Sequence, residues 1–488
     1  MKVTIHRQDF KFYPDPSRVI ARFFYPYDER SVNIINRVLT LSDEQVKVAI
    51  NQVLRGYSKR HRNITRIFEK HFDKIAYLFE RMDIDPNSFD KFKKILIGSY
   101  FTMEYSIESA AIFNPSIVEH PDQTELSPGE KRILMSFRAT GEGHISSLVF
   151  RSGVIDKNDH LLFEPAGRML DEAERIQRHI YRKDVFMQKL NEMQDFNNII
   201  SLQEVLEPLG DQFNYGELKK CVNEAKENLH LSSAKEVLLN EIIWLASSHY
   251  EIEFSLDTST SERVIFPIAE TEKKGIEDAR FVRFIDDDGQ VTYYGTYTAY
   301  DGFAILPKLI KTSDFYNFNV MPIHGEIAEN KGKALFPRKI NGQYAMLCRI
   351  DNENNYIAFS DQIHLWRKAE IIQEPQYHWE FIQIGNCGSP IETREGWLVI
   401  THAVGQMREY VLGAILLDLD DPSKVIGKLD SPLMIPNAEE REGYVPNVIY
   451  SCGSIIHNEK LLIPYAMSDY ASTFAWVDLD EILHALKS

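Results

Sequence analysis

The chain has 488 residues, too many for one ordinary hydrophobic core, so two or three structural units are expected. It carries 55 Lys and Arg against 72 Asp and Glu, a formal net charge of −17 at pH 7. That balance argues against nucleic acid as a partner, because a polyanion needs a basic face.

The N-terminus, "MKVTIHRQDFKFYPDP", lacks the apolar core of a signal peptide, and no apolar run reaches the length of a bilayer. A soluble, cytoplasmic protein is expected. Residues 1 to about 40 carry little periodic signal. Ser42 with Gln45 then reads as a capping box opening a helix. Val46, Ala49, Ile50, Val53, Leu54 and Tyr57 fall on one face of it. Ile64, Ile67, Phe68, Phe72, Ile75, Phe79 and Met82 form a second stripe. A third helix is predicted from Asn87 or Ser88, behind Pro86, towards Tyr100. Residues 1–105 therefore read as an N-terminal region, mostly helical.

The texture changes at "AIFNPSIVEH", and from there most of the chain reads as short strands. The exception is 170–250, where "DEAERIQRHIYRKDVFMQKL", "GELKKCVNEAKENL" and "SSAKEVLLNEIIWLA" predict helix. Ser233 with Glu236 makes another capping box. This block reads as a helical insertion between a first β unit at 106–169 and the remaining ones at 251–488.

The β part repeats. "KALFPRKINGQYAMLCR", "GSPIETREGWLVITHAV" and "PNVIYSCGSIIHNEKLLIPYAMSD" share strand, turn and strand, and Pro337, Pro390 and Pro446 lie 53 and 56 residues apart. Two earlier units, around "FNPSIVEH…KRILMSFRAT" and "EDARFVRFIDDDGQVTYYGTYTAYDG", bring the count to five. A mainly β chain with a period near fifty predicts a five-bladed β-propeller, since each unit is too small to bury a core alone. Blade-opening residues then converge on one end of a central channel. "GIEDAR" opens a blade, which puts Glu277, Asp278 and Arg280 at that mouth. Cys221, Cys348, Cys387 and Cys452 form no CxxC pair, so reduced thiols are expected rather than a zinc or redox motif.

The motifs "FNPS" (113–116), "FRATGEGHISS" (137–147), "GIEDAR", "YTAYDG" (297–302), "LFPRKINGQYAMLCR", "GWLVITHAV", "LLDLDDP" and "PYAMSD" succeed one another at blade spacing. In this order they resemble glycoside hydrolase family 130, the β-mannoside phosphorylases and related β-mannosidases. The resemblance covers about 105–170 and 250–488. It implies a five-bladed propeller that cleaves β-mannosidic bonds with inversion. It also implies Asp278 as general acid, its proton reaching the glycosidic oxygen through a hydroxyl of the mannosyl ring.

Glycosidic cleavage needs an acid on the leaving oxygen and a nucleophile on the opposite face. A phosphorylase holds anionic phosphate with cations, where a hydrolase activates water with a second carboxylate. The resemblance assigns phosphate to Lys331, Arg349 and His402, with Tyr410 as a further donor. It assigns the sugar to Asn114, Ser116, Arg138, Glu277, Arg280, Tyr297 and Asp469. Three positions depart from the family pattern: Ala279 replaces a proline, "CRID" lacks the proline after its arginine, and "THAV" lacks the tyrosine and glycine around its histidine. The expected partners are a β-mannoside oligosaccharide and inorganic phosphate as co-substrate, with no nucleic acid, membrane, metal or organic cofactor. Whether the chain is a homo-oligomer stays open. So do two other functions, β-mannoside hydrolysis (on 1,2-linkages among others) and carbohydrate binding by a propeller without turnover. The two helical elements are expected to pack together or across a subunit boundary and either wall one side of the acceptor site or form a purely structural clasp that closes the propeller or an oligomer.

Overall fold

The N-terminal helices form where caps and apolar stripes coincide. In the computed structural model, which describes residues 3–176, 180–184, 186, 187, 190, 205–228 and 233–488, Ser42 Oγ accepts from Gln45 N and Gln45 Oε1 accepts from Ser42 N. This capping box opens helix Asp43–Tyr57, which buries Val46 and Ile50. The stripe at 64–82 is divided between two helices, Ile64–Asp73 and Ala76–Arg81. The next helix, Lys91–Tyr100, starts later than predicted, because Asp90 rather than Asn87 or Ser88 caps it. An additional helix, Asp28–Leu39, gave no start signal in the sequence: Tyr27 precedes it at φ 73° with no side-chain cap. Burial of Ile35 and Val38 among Phe68, Phe79 and Phe101 holds it instead.

The segment read as helix from residue 170 contains strands. Asp171–Glu172 pairs with Arg263–Ile265, Glu174–Ile176 with Tyr250–Glu253, and Ile180–Arg182 with Gln212–Asn214. Its composition favours helix, but available partner strands override that weak preference. The two later predictions hold as helices Tyr215–Asn228 and Ser233–Ser248. Ser233 lies inside the second of these, and its capping contact with Glu236 falls outside the described side chains.

The rest is mainly β. Ala111–Glu119, Lys131–Thr140, Ser146–Ile155 and Leu161–Phe163 form a first antiparallel group. Gly275–Ile285, Val291–Tyr300, Ile305–Thr312 and Asn317–Pro322 form a second, extended by Tyr250–Glu253. One parallel pair, Gly275 with Ser146, links these groups within a twelve-stranded sheet. Four strands between Ala334 and Gln373 form the next sheet, and five between Gln383 and Lys428 another. The last sheet holds Ile449–Tyr450, Ile455–His457, Lys460–Met467 and Ala471–Asp478, with N-terminal Ile5–Arg7 added at its edge.

Apolar residues pack each group on the next. Phe150 meets Phe281, Phe284 clusters with Met346, Ile357 with Trp397, and Leu412 with Leu461. Phe474 and Trp476 of the last sheet cluster with Met135 and Phe137 of the first group. All four cysteines are buried free thiols. Among the described residues no helix is long and apolar enough to cross a membrane.

Candidate active site

The opening strands of the first two groups share one local irregularity. Pairing skips between Phe113 and Ser116, and again between Glu277 and Arg280. In each bulge two residues, Asn114–Pro115 and Asp278–Ala279, stand opposite one partner, Phe137 or Tyr297. Asn114 and Asp278 take left-handed φ values of 49° and 54°. Their short polar side chains tolerate that region, and proline is accepted at a bulge because no ladder hydrogen bond is lost. The bulges turn both side chains out of their ladders towards each other, and Asn114 Nδ2 donates to Asp278 Oδ1 at 2.6 Å. Ser116 lies just beyond, where its Oγ accepts from Phe281 N at 3.0 Å and ties the two strands together.

Asp278 and Asn114 face a cavity of about 390 Å³, which Arg138, Lys331, Arg349, His402, Tyr410 and Asp469 also line. Asn330, Asn352, Arg408 and Asp469 of its wall are left-handed as well, with φ between 51° and 65°. For Arg408, whose amide donates to the Gly405 carbonyl at 3.2 Å within the turn, such backbone costs about 1–3 kcal/mol. Eight of the twelve sequence-predicted site residues line this cavity, and among the described residues none of its lining comes from 1–105 or 170–250.

The other four lie behind the wall or away from it. Glu277 joins two cations: Arg138 Nη2 donates to its Oε1 at 2.7 Å and Lys331 Nζ to its Oε2 at 2.6 Å. Arg280 is buried and donates from Nη2 to the Tyr450 hydroxyl at 2.7 Å, so Tyr450 rather than Arg280 reaches the cavity. Ser116 is occupied as described. Tyr297 points to the opposite face, where its hydroxyl donates to Glu272 Oε2 at 3.0 Å within the core. The register explains this. Thr298, not Tyr297, pairs with Glu277 as Arg138 pairs with Phe113, and a one-residue step reverses a strand side chain.

The electrostatics arise from the contacts. Burial would raise the Asp278 carboxyl, but Arg138, Lys331 and Arg280, with the Asn114 hydrogen bond, hold it below the usual carboxylate value. Asp469 is pushed up to about 6, first by burial and then by Asp278, against the opposing pull of Arg138 and Arg408. His402 is driven well below its ordinary value by burial and by Arg349 and Arg280. It is therefore neutral. Its Nδ1 lies 3.2 Å from the Asn386 carbonyl and its Nε2 3.2 Å from Arg349 Nη1. Nδ1 then carries the proton and donates to Asn386, while Nε2 accepts from Arg349. The histidine assigned to phosphate orients the guanidinium here. It has room because Gly385 faces it: a Cβ there would come 2.6 Å from the imidazole Cε1. Tyr410 takes a long hydrogen bond from Gln383 Nε2 at 3.4 Å.

Sequence reasoning missed Arg408, Tyr450, Asn330, Asn352 and Gln383 in this wall. Arg408 had a signal. "FRATG" and "THAVG" occupy matching places, each ending at a glycine that precedes a short 3-10 turn, Glu142–His144 or Gln406–Arg408. That alignment superposes Arg138 on His402 and puts Arg408 at a repeated turn.

One acid, a carboxylate of raised pKa and a cluster of Lys and Arg now share one cavity. A family model described as beta-1,4-mannooligosaccharide phosphorylase, glycoside hydrolase family 130, matches residues 235–488. The chain belongs to this family. It is an enzyme, a glycoside phosphorylase or a related glycoside hydrolase. It is 36% identical over 217 residues to a 1,2-beta-oligomannan phosphorylase of Thermoanaerobacter sp. (strain X514), over 44% of this chain and 71% of that one. It is 33% identical over 256 residues to a beta-1,2-mannobiose phosphorylase of Listeria innocua, over 50% of this chain and 68% of the relative. A solved beta-1,2-mannobiose phosphorylase from Listeria innocua, in complex with beta-1,2-mannobiose, aligns over 78% of this chain and 92% of its own, with 24% identity and a TM-score of 0.46.

Proposed function

We propose that this enzyme is an inverting β-mannoside phosphorylase, converting a β-mannoside and phosphate into α-mannose 1-phosphate and a shortened acceptor. The observation that carries this reading is the grouping of Lys331, Arg349 and Arg408 in the cavity that Asp278 faces. Three cations in one wall suit a phosphate dianion, with arginine supplying a planar fork and lysine a point charge. Relatives named as mannoside phosphorylases support the same substrate class.

In this reading a phosphate oxygen attacks the anomeric carbon as the glycosidic C–O bond breaks on the opposite face. Asp278 supplies the proton, passed through a mannosyl hydroxyl to the leaving oxygen. Asn114, Arg138 and Asp469 bind the mannosyl hydroxyls, Glu277 fixes Arg138 and Lys331, and His402 fixes Arg349. Arg280 steadies Tyr450, and Tyr410 donates to phosphate. We further infer that the five strand groups are the blades of a five-bladed propeller, on the strength of their successive packing and of first on last. Its proposed division is 1–105 N-terminal, 106–169 first blade, 170–250 insertion and 251–488 remaining blades. The cytoplasm is the proposed location.

The alternative is an inverting β-mannosidase, and Asp469 favours it, because a second carboxylate in the same cavity could activate water. Turnover measured with and without phosphate separates the two. Cleavage should require phosphate and release mannose 1-phosphate. Arg349→Ala should raise KM for phosphate far more than KM for the sugar. Equal release of free mannose without phosphate would reject phosphorolysis in favour of hydrolysis.

A further inference from the structure

A second cavity, of about 420 Å³, lies between the N-terminal helices and the segments 170–173 and 266–267, and it shares no lining residue with the first. Its wall carries Arg22, Arg62, Arg66, Lys70 and Lys74 against Asp171 and Glu172, in a chain whose net charge is −17. Some of these charges are committed. Arg62 pairs with Asp257 at 2.7 Å and Glu262 at 3.0 Å, and Asp171 accepts from the Ser255 amide. Arg22, Lys70 and Lys74 have no carboxylate within ion-pair distance among the described residues; Glu172 of the same wall is their shared counter-charge at longer range.

Lys70 and Lys74 project one turn apart from helix Ile64–Asp73 and its cap, a like-charge spacing that destabilises a helix. The buried His71 ring between them is lowered to about 4, by burial first and then by Lys74 and Lys70. Across the cavity the Arg22 guanidinium lies over the Phe266 ring at 4.3 Å and the Tyr105 ring at 5.0 Å, which holds its planar fork in place. Phosphoryl oxygens are the chemistry that satisfies two ammonium groups and a guanidinium together. The volume exceeds what orthophosphate fills, and Ile20, Ile67, Leu170, Phe266 and Pro267 make the remaining wall apolar. A pyranose ring packs one apolar face on such a surface.

We propose that this cavity binds a hexose phosphate, with its phosphoryl group on Lys70, Lys74 and Arg22 and its ring against Phe266 and Pro267. The site is separate from catalysis and does not depend on phosphorolysis being the reaction. Calorimetric titration of the full chain with mannose 6-phosphate tests it, with mannose and sulfate as comparison ligands. Wild type and Arg349→Ala should bind the sugar phosphate alike, and both more tightly than sulfate or mannose. Lys70→Ser/Lys74→Ser should weaken binding by at least about tenfold, as expected for lost charge-assisted hydrogen bonds. Arg22→Met, on a different element, should weaken it similarly and gives a second readout if the lysine variant folds poorly. Binding that survives these changes but is lost in Arg349→Ala would place the ligand in the catalytic cavity and overturn the proposal. Sulfate matching the sugar phosphate, or no binding to wild type at millimolar ligand, would also overturn it.

Discussion

At the scale of single residues, the Asp278 carboxyl is tuned in a direction opposed to its proposed role, and the opposition is informative. An acid should hold its proton near the working pH, yet Asp278 is held below the usual carboxylate value by Arg138, Lys331, Arg280 and Asn114 against the effect of burial. Phosphate bound at Lys331 and Arg349 would cancel part of that field and raise Asp278. Phosphate binding should then be linked to proton uptake by Asp278. At about pH 5, binding heats compared in buffers of different ionisation enthalpy should show more protons taken up by wild type than by Asp278→Asn. Equal uptake would exclude the coupling. Asp469 titrates in the other direction. Its folded value of about 6 lies above that of an unfolded aspartate, so the folded chain binds more protons between the two values. Its contribution to stability is complete below about pH 4 and is lost as pH rises through about 6. Melting temperatures from about pH 4 to 7 should therefore decline less in Asp469→Asn than in wild type, and parallel declines would reject the assignment. The identity of both carboxylates was legible in "GIEDAR" and "PYAMSD". Their opposite shifts were not, because that of Asp278 depends on cations brought chiefly by other strand groups, and that of Asp469 on burial and on the approach of Asp278. His402 shows the same limit: its position was legible, but its bond to Arg349 needs two sheets in register.

At the scale of elements, strand repeats were readable because each carries its own turn and its own alternation. What failed was resolution within an element. Tyr297 was placed in the site from its motif, but it stands opposite the bulge at Asp278, Thr298 pairs with Glu277, and the Tyr297 hydroxyl bonds Glu272 in the core. A bulge is one residue of extra backbone, and composition does not locate it. Strands at 171–176 were read as helix because their polar, helix-favouring residues gain strand structure only from partners distant in sequence. Tyr297 instead reveals how the strand bearing Asp278 is anchored. Glu272, in the turn Glu270–Glu272 just before that strand, is fully buried. It accepts from Tyr250 at 2.5 Å, from Tyr297 at 3.0 Å, from Lys308 Nζ at 3.1 Å and from the amides of Ile268 and Ala269. Lys308 is equally buried. Glu272→Gln leaves that ammonium without its counter-charge and should cost about 3–5 kcal/mol in urea unfolding, the usual penalty for breaking a buried pair. Glu272→Gln/Lys308→Met should recover much of the loss. A single variant within about 0.5 kcal/mol of wild type would show that the cluster does not hold the strand.

At the scale of the whole molecule, the sequence suggested five similar units but not how their array closes. The first forty residues carried little periodic signal, and closure is where part of them goes. Ile5–Arg7 pairs with Ala475, Trp476 and Val477 at the edge of the last sheet. The chain continues along the same strand, with Gln8 N on Phe474 O and Phe12 N on Ser472 O, both at 2.8 Å. Phe12 then packs against Phe474 of the last sheet and against Phe137 and Phe163 of the first group, so one ring touches both ends of the array. Arg7 adds an ion pair to Glu440 at 2.8 Å, and Glu440 also accepts from the buried Tyr465 hydroxyl at 2.6 Å. Three residues of strand are too short to announce themselves by alternation; their stability comes from a partner more than 460 positions away. An edge strand supplied by the opposite terminus also covers amides that would otherwise lie open to association. Removing residues 1–12 should therefore act on the first and last groups together. The loss of Val3 and Phe12 burial alone should cost on the order of 3 kcal/mol. Hydrogen exchange should rise in 131–140 and 471–478, and leave the sheet at 344–373 unchanged. If the truncated chain melts with the full-length protein and exchanges no faster in those strands, the N-terminal segment is only a passenger, and the hydrophobic contact between Phe137 and Phe474 and its neighbours closes the array unaided.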